Sequence, residues 1–192
     1  FVIAPRINAS GRLGSAKKGI ELFLCDDAAR ADEIAADLAN ENKNRQKMEQ
    51  EIYAEALKII EENKLNENKV IVVASKGWHQ GIIGIVSSKI TEKYYKPSIL
   101  ITINESGVCK GSGRSIKGFN INEAICACKH LLEKYGGHEL AAGLTINREN
   151  VDEFRKAIND DAKNTFDFNS VCNYVDANLE IDVKDITVEN AE

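Results

Sequence analysis

The sequence predicts an α/β protein in which a long helix precedes a compact α/β domain. Three observations carry this. Residues 26–64 contain no Gly or Pro and are rich in Ala, Glu, Lys and Leu. After residue 69, short β-branched runs alternate with amphipathic stretches. The 13 glycines fall in four clusters, with none between residues 20 and 76 and none after 143.

The long helix comes first. Ala31, Ile34, Ala35, Leu38, Met48, Ile52, Ala56 and Ile59 recur at three- and four-residue spacing. Asp26 or Asp27 is placed to cap it. Asn42 and Arg45 interrupt the apolar stripe at its middle, which suits a helix bridging two bodies better than one packed throughout. Val70-Ile71-Val72-Val73-Ala74 reads as a buried strand, and a glycine loop over 77–81 leads into an amphipathic segment, 82–95, ended by Pro97. Ile99–Ile103 is a second strand, 104–107 a turn and 108–115 a third strand. Asn120 or Asn122 starts a helix expected to run to Tyr135 and stop at Gly136-Gly137. Residues 144–146 form a short strand, 150–166 a last helix, and 173–183 alternate as a strand would. Residues 69–168 thus read as one α/β domain.

With 43% hydrophobic and 29% charged residues, the composition is neither that of a disordered chain nor that of a membrane protein. No apolar run reaches the ~18 residues of a membrane span, and no signal-peptide pattern opens the chain. Five cysteines without a CxxC pair point to buried thiols in a reducing, cytoplasmic setting. The chain opens at Phe1, not Met, and is expected to be a piece of something longer. The net charge of −5 conceals a division. Residues 1–25 hold four basic side chains against one acidic, and 69–148 hold eleven against five. The glycine-free stretches, 26–68 and 149–192, hold six against twelve and four against twelve. Two basic, glycine-rich segments inside an acidic chain indicate an anionic partner.

Four motifs carry the candidate chemistry. Pro5-Arg6-Ile7-Asn8-Ala9-Ser10-Gly11-Arg12-Leu13-Gly14 frames an Asn with two arginines, whose planar forks fit phosphate; the plainer alternative is a turn with solvated arginines. Ser75-Lys76-Gly77-Trp78-His79-Gln80-Gly81 follows a strand and opens a helix, a geometry that presents backbone N–H groups to an anion. It is neither a dinucleotide fingerprint nor a P-loop. Trp78 either stacks a base or fills core, and His79 either meets a ligand or bonds the helix start. Lys110-Gly111-Ser112-Gly113-Arg114-Ser115-Ile116-Lys117-Gly118 sets two hydroxyls beside an arginine, with glycines that let a ligand approach the backbone and two lysines adding positive potential. A plain strand with a bulge is the alternative there. Gly136-Gly137-His138-Glu139-Leu140-Ala141-Ala142-Gly143 reads as a tight loop aiming one imidazole into a cleft; a structural histidine is the alternative there. Metal binding is weak throughout: of Cys126, Cys128 and His130 only the first and last share a helical face, too few for a closed site.

The order PRINASGRLG, long Ala/Glu helix, SKGWHQGIIG, KGSGRS and GGHELAAG resembles the RecJ single-strand-specific DNA exonucleases of the DHH/DHHA1 phosphoesterase superfamily. The resemblance covers roughly residues 1–168. It implies a DHHA1-type domain, a mixed sheet with flanking helices, at 67–168. The edge of a DHH core is implied at 1–25, a connecting helix at 26–66, and the start of an OB-fold-like β domain at 169–192. Intact enzymes of this kind degrade single-stranded DNA from the 5′ end, in DNA repair and recombination. They use Mn2+ or Mg2+ held by Asp and His residues of the DHH domain. The resemblance places Arg6, Asn8, Arg12, Ser112, Arg114 and His138 around the 5′-phosphate and the strand, with His79 in the second motif.

The DHH motif and its carboxylates are absent, so no catalytic residue and no metal are expected in this chain, which should be inactive alone. The leading expectation is the substrate-binding portion of a 5′–3′ single-stranded-DNA exonuclease. The alternatives are a DHHA1 phosphoesterase acting on short oligonucleotides or cyclic dinucleotides, and a non-catalytic nucleic-acid-binding module. The expected partner is single-stranded DNA, with association between copies through the exposed linker helix and no membrane contact.

Overall fold

A computed structural model of the chain describes residues 2–105, 107–168, 180–183 and 187. Two short helices, α1 (Ile3–Leu13) and α2 (Lys17–Leu24), precede the long helix α3 (Ala28–Glu62). Asp27 caps α3, its carboxylate accepting from the N–H of Ala29. The first motif is therefore helical rather than a turn, which has consequences for its arginines.

The 35 residues of α3 span about 52 Å at 1.5 Å per residue. Its N-terminal half buries Ile34 and Leu38, and its C-terminal half buries Ile52, Ala56 and Ile60. Between them, Asn42, Arg45 and Glu49 occupy the same stripe. Arg45 donates to Asn42 Oδ1 (2.9 Å) and pairs with Glu49, which also pairs with Lys89 of the following domain. The stripe is polar at its middle because these three groups satisfy one another, so burying them carries no orphaned charge.

The remaining elements are β1 (Ile71–Lys76), α4 (Gln80–Tyr94), β2 (Ser98–Ile103), β3 (Val108–Arg114), α5 (Ile121–Ala127), β4 (Leu132–His138), β5 (Ala141–Asn147) and α6 (Val151–Thr165). They build one mixed sheet in the order β1-β2-β3-β5-β4, with β1 and β2 parallel and the other pairs antiparallel. Both faces of β1 and β2 are covered. Ile71, Val73 and Leu100 pack with α3 and α4, while Val72, Ile99 and Ile101 pack with α5 and α6. That is why these strands read as continuous apolar runs.

The helix expected from Asn120 to Tyr135 is not formed. Asn120 does cap α5, its Oδ1 accepting from the N–H groups of Asn122 and Glu123, but α5 ends at Ala127. A 3-10 turn over Lys129–Leu131 follows, and 132–138 enter the sheet as β4. The apolar spacing Ile121, Ala124, Ile125, Cys128, Leu131 suits a helix, but pairing with β5 satisfies the backbone of 132–138 instead. The strand expected over 173–183 and the further β domain at 169–192 fall largely outside the described residues.

The free edge of β1 is blunted by α6. Asn159 is buried, accepts from the Val70 N–H (2.9 Å) and donates to the Val70 carbonyl (3.0 Å); Arg155 Nε donates to the Val72 carbonyl (3.0 Å). Asn159→Ala leaves a buried N–H and C=O unpaired at about 1–3 kcal/mol each before relaxation. We expect a loss of about 3 kcal/mol, a fall of roughly 6–12 °C in thermal midpoint by circular dichroism. Among the described residues, no helix is long and apolar enough to cross a membrane.

Candidate functional site

The sheet face turned toward α4 carries a cleft of about 620 Å3. Its construction follows from period-two alternation along the strands. On β3, Lys110, Ser112 and Arg114 point to the cleft. Gly111 and Gly113 point the other way, where a Cβ would stand 2.8 Å from Leu144 and Ile121 side-chain atoms respectively. The glycines of KGSGRS therefore serve the core behind the sheet rather than close approach of a ligand. No bulge interrupts the register, which runs without a shift from Val108 to Arg114.

Pairing extends the pattern across three strands. Arg114 faces Ala141, which faces His138; Ser112 faces Gly143, which faces Gly136; Lys110 faces Thr145, which faces Lys134. The result is a trough with functional side chains on β3 and β4 and a floor of small residues on β5. A bulge at Glu133 sets this register on β4. Tyr135, opposite Leu144, turns to the other face, where its hydroxyl meets Cys126 Sγ (3.4 Å).

The opposite wall is the N-terminus of α4 with the C-terminus of α1. Gly77, at φ +77°, makes the turn from β1, and His79 caps α4, its Nδ1 accepting from the Gly81 N–H (3.1 Å). Arg12 Nη1 donates to the Gly81 carbonyl (3.2 Å). A Cβ on Gly81 would collide with the Arg12 carbonyl oxygen, and one on Gly84 would stand 2.9 Å from Ser112 Oγ and 3.0 Å from Arg114 Nη2. These two glycines are what let α1, α4 and β3 meet. Ser87 and Thr91 of α4 add buried hydroxyl bonds to Ser98 (2.9–3.0 Å), fixing the helix to the sheet.

Arg114 donates to Ser112 Oγ (3.2 Å) and to the Gly113 carbonyl (2.7 Å). Its guanidinium is held below the ordinary arginine value, first by burial and then by the charge of Arg12. Lys110 Nζ donates to Thr145 Oγ1 (2.9 Å). Among the described residues, four cations, Arg12, Lys110, Arg114 and Lys134, line the cleft, and no Asp or Glu does. An anion with several acceptor oxygens is the ligand that this arrangement stabilises.

The sequence expectations separate accordingly. Arg12, Ser112 and Arg114 come together. Arg6 and Asn8 do not line the cleft: six residues on a helix carry Arg6 about 120° around α1 from Arg12, and both Arg6 and Asn8 are exposed. His138 stands at the end of β4, exposed, with Nδ1 accepting from the Leu140 N–H (3.3 Å); it marks the rim rather than the interior. His79 acts as a helix cap and borders a neighbouring cavity. Trp78 is core, 5% exposed, with Nε1 bound to Glu55 (2.9 Å). Lys117 lies outside the cleft lining. Lys134 and Thr145 escaped sequence reasoning: Lys134 fell in the helix expected to run to Tyr135, and Thr145 in the short strand expected over 144–146, where no ligand role was assigned. The alternate-residue spacing Lys134, Gly136, His138 was the signal for them.

Cys25, Cys109, Cys126 and Cys128 are free thiols. Burial raises Cys109 and Cys128, the latter to about 11 with a further contribution from Asp161, so neither is a nucleophile at neutral pH. Among the described residues no group of three His, Cys, Asp or Glu side chains is arranged to hold a metal ion. A divalent cation does not fit the cleft, whose own charges repel it.

The chain is similar to known proteins in sequence and in fold. Residues 67–164 match the DHHA1 domain. The chain is 40% identical over 191 residues to the single-stranded-DNA-specific exonuclease RecJ of Bacillus subtilis, covering 99% of the chain and 24% of that protein. It is 33% identical over 199 residues to the RecJ of Dickeya dadantii, covering all of the chain and 34% of that protein. The crystal structure of Thermus thermophilus RecJ in complex with Mn2+ superposes with a TM-score of 0.78 at 35% identity, over 87% of the chain and 24% of that structure. The same protein has been solved with Mg2+. The chain thus spans about a quarter to a third of the length of these relatives.

Proposed function

Because the chain belongs to the DHHA1 domain family, we propose that its cleft is the part of a 5′–3′ single-stranded-DNA exonuclease that holds the 5′-phosphorylated end of the strand. The observation that carries this reading is the convergence of Arg12, Ser112 and Arg114 in a cleft lined, among the described residues, by no carboxylate. A terminal phosphate has about −1.5 to −2 charges and three acceptor oxygens, which two guanidinium forks and a hydroxyl complement. The relatives' specificity for single-stranded DNA supports the choice of ligand.

Cleavage belongs to the longer protein: Mn2+ or Mg2+ would be held by DHH-domain carboxylates and histidines, not by this cleft. Residues 1–25 we assign to the edge of that DHH core, an assignment supported by exposed Ile20, Phe23 and Leu24 on α2. The role that accompanies such an activity is DNA repair and recombination in the cytoplasm; the free thiols support a reducing compartment.

The test is fluorescence anisotropy of the 192-residue chain with a labelled single strand bearing a 5′-phosphate or a 5′-hydroxyl. We expect the phosphorylated strand to bind about tenfold or more tightly, with affinity falling as salt rises. Equal affinity for the two strands overturns the reading. A cyclic dinucleotide competing as well as the 5′-phosphorylated strand favours the short-substrate alternative.

A further inference from the structure

The pocket for the terminal phosphate is open at the back. Gln80 and Lys110 line the cleft and also line a second cavity, of about 870 Å3, so the two open into each other. The second cavity lies at the carboxyl ends of the parallel pair β1 and β2, the place where open α/β sheets bind ligands. Its floor is Thr102 of β2 with Val108 of β3, and Met48 of α3 forms a wall. Thr102 Oγ1 donates to the Trp78 carbonyl (2.6 Å), which holds the turn before α4 above that floor. Two glycines in the left-handed region, Gly77 (φ +77°) and Gly107 (φ +81°), border the space, and a Cβ on either would meet nothing within 4 Å.

Three cations border this cavity, Lys76, Lys110 and Arg148, against one carboxylate, Glu105. Lys76 ends β1, and Arg148 follows β5, its N–H bound to the Gly107 carbonyl (3.0 Å). Both side chains are exposed, and neither has a carboxylate partner among the described residues. Lys110 uses one of its three N–H donors on Thr145 Oγ1 and keeps the others. It stands two residues from Ser112 along β3, about 7 Å. That is the reach of one or two further phosphoryl groups joined to a phosphate held at Ser112. A pocket that took a monophosphate alone would need no unpaired cations behind it.

We propose that the second cavity receives the β- and γ-phosphates of a strand with a 5′-diphosphate or 5′-triphosphate end, whose α-phosphate is held by Arg12, Ser112 and Arg114. Lys110 meets the β-phosphate, and Lys76 and Arg148 meet the outermost one. The strand then leaves on the side away from Lys110. Its first internucleotide linkage stays clear of these cations and free to meet a metal ion held by another domain. Chains begun by a polymerase from a free nucleoside triphosphate carry such ends, so the site gains a substrate class. This rests on the 5′-phosphate reading above.

The experiment uses the 192-residue chain and 3′-labelled oligothymidylate with a 5′-hydroxyl, a 5′-monophosphate or a 5′-triphosphate. Binding is followed by anisotropy with a chelator present, across a salt series. The triphosphate strand is expected to bind about tenfold more tightly than the monophosphate strand, with a salt slope steeper by about 0.7 or more. Lys76→Ala and Arg148→Ala should each lower the triphosphate affinity several-fold and leave the monophosphate affinity as it is. Lys129→Ala removes the same charge from an exposed position outside both cavities and should change neither. A triphosphate strand that binds no better than the monophosphate strand overturns the proposal. So does a triphosphate advantage that survives both Lys76→Ala and Arg148→Ala, or one that falls equally with Lys129→Ala, which is attraction at a distance and not a site. If the monophosphate strand binds no better than the 5′-hydroxyl strand, the functional reading fails and this inference falls with it. If the monophosphate counts and the two further phosphates do not, only the inference fails.

Discussion

Arg114→Ala should weaken binding of a 5′-phosphorylated single strand by about 100-fold and erase the preference over a 5′-hydroxyl strand, while the thermal midpoint holds or rises. The two halves of this result come from one arrangement. Arg114 is half-buried beside Arg12, with burial and that neighbouring charge both disfavouring its cation. Among the described residues, no carboxylate in the cleft offsets them. In the free protein its deletion relieves that desolvation and repulsion, which offsets the loss of its bonds to Ser112 Oγ and the Gly113 carbonyl. In the complex it supplies two charge-assisted bonds at about 1.5 kcal/mol each, which is a factor of about 100. Arg114→Lys should recover only part of the loss, since a point charge cannot reproduce a planar fork. Anisotropy titrations paired with thermal melts read both quantities. A variant that loses binding and stability together would make Arg114 a structural residue instead.

Gly81→Ala should act in the opposite way, lowering stability by about 1–3 kcal/mol and with it the affinity for the 5′-phosphate. The added methyl would run into the Arg12 carbonyl oxygen, a backbone atom that moves only if α1 moves. The strain of such overpacking exceeds the ~1 kcal/mol that Ala contributes over Gly to a helix. Shifting α1 also breaks the bond from Arg12 Nη1 to the Gly81 carbonyl and carries the guanidinium away from Arg114. Gly84→Ala makes a useful contrast. Its methyl would meet Ser112 Oγ and Arg114 Nη2, the ends of side chains that can swing aside. That variant should lose binding with little change in midpoint. Chemical denaturation beside the same titration distinguishes the two glycines; equal stability losses would show that the α1–α4 contact is not the one that matters.

Much of this was legible from local pattern. Asp27 caps a helix that runs to Glu62, as the Ala/Glu-rich stretch predicts. The β-branched runs are buried strands, and the basic, glycine-rich segments do meet at one cleft. The polar interruption at Asn42 and Arg45 was visible too, although its partner Glu49 and the link to Lys89 were not. Errors arose where a segment's conformation depends on a remote partner. Residues 132–138 are an edge strand exposed from 133 onward, so they carry no alternating apolar signal, while the preceding residues carry a helical one. The first motif, two arginines framing an Asn, set Arg6, Asn8 and Arg12 around one anion; as α1 they diverge, and only Arg12 reaches the cleft.

Local sequence by itself determined the long helix, the strand–turn–helix at His79, the alternation of Lys110, Ser112 and Arg114 on one strand, and the positive charge of the glycine-rich segments. These depend on periodicities of 3.6 and 2 and on composition, which act within a few residues. Tertiary structure alone decided that Arg12 joins Arg114 across α4 and that Lys134 stands opposite Lys110 with Thr145 between them. It also decided that Gly111 and Gly113 serve the core while Gly136 and Gly143 clear the trough. Those outcomes hang on sheet register and on helix-to-helix approach. A one-residue slip in either strand pairing would turn the same side chains to the opposite face.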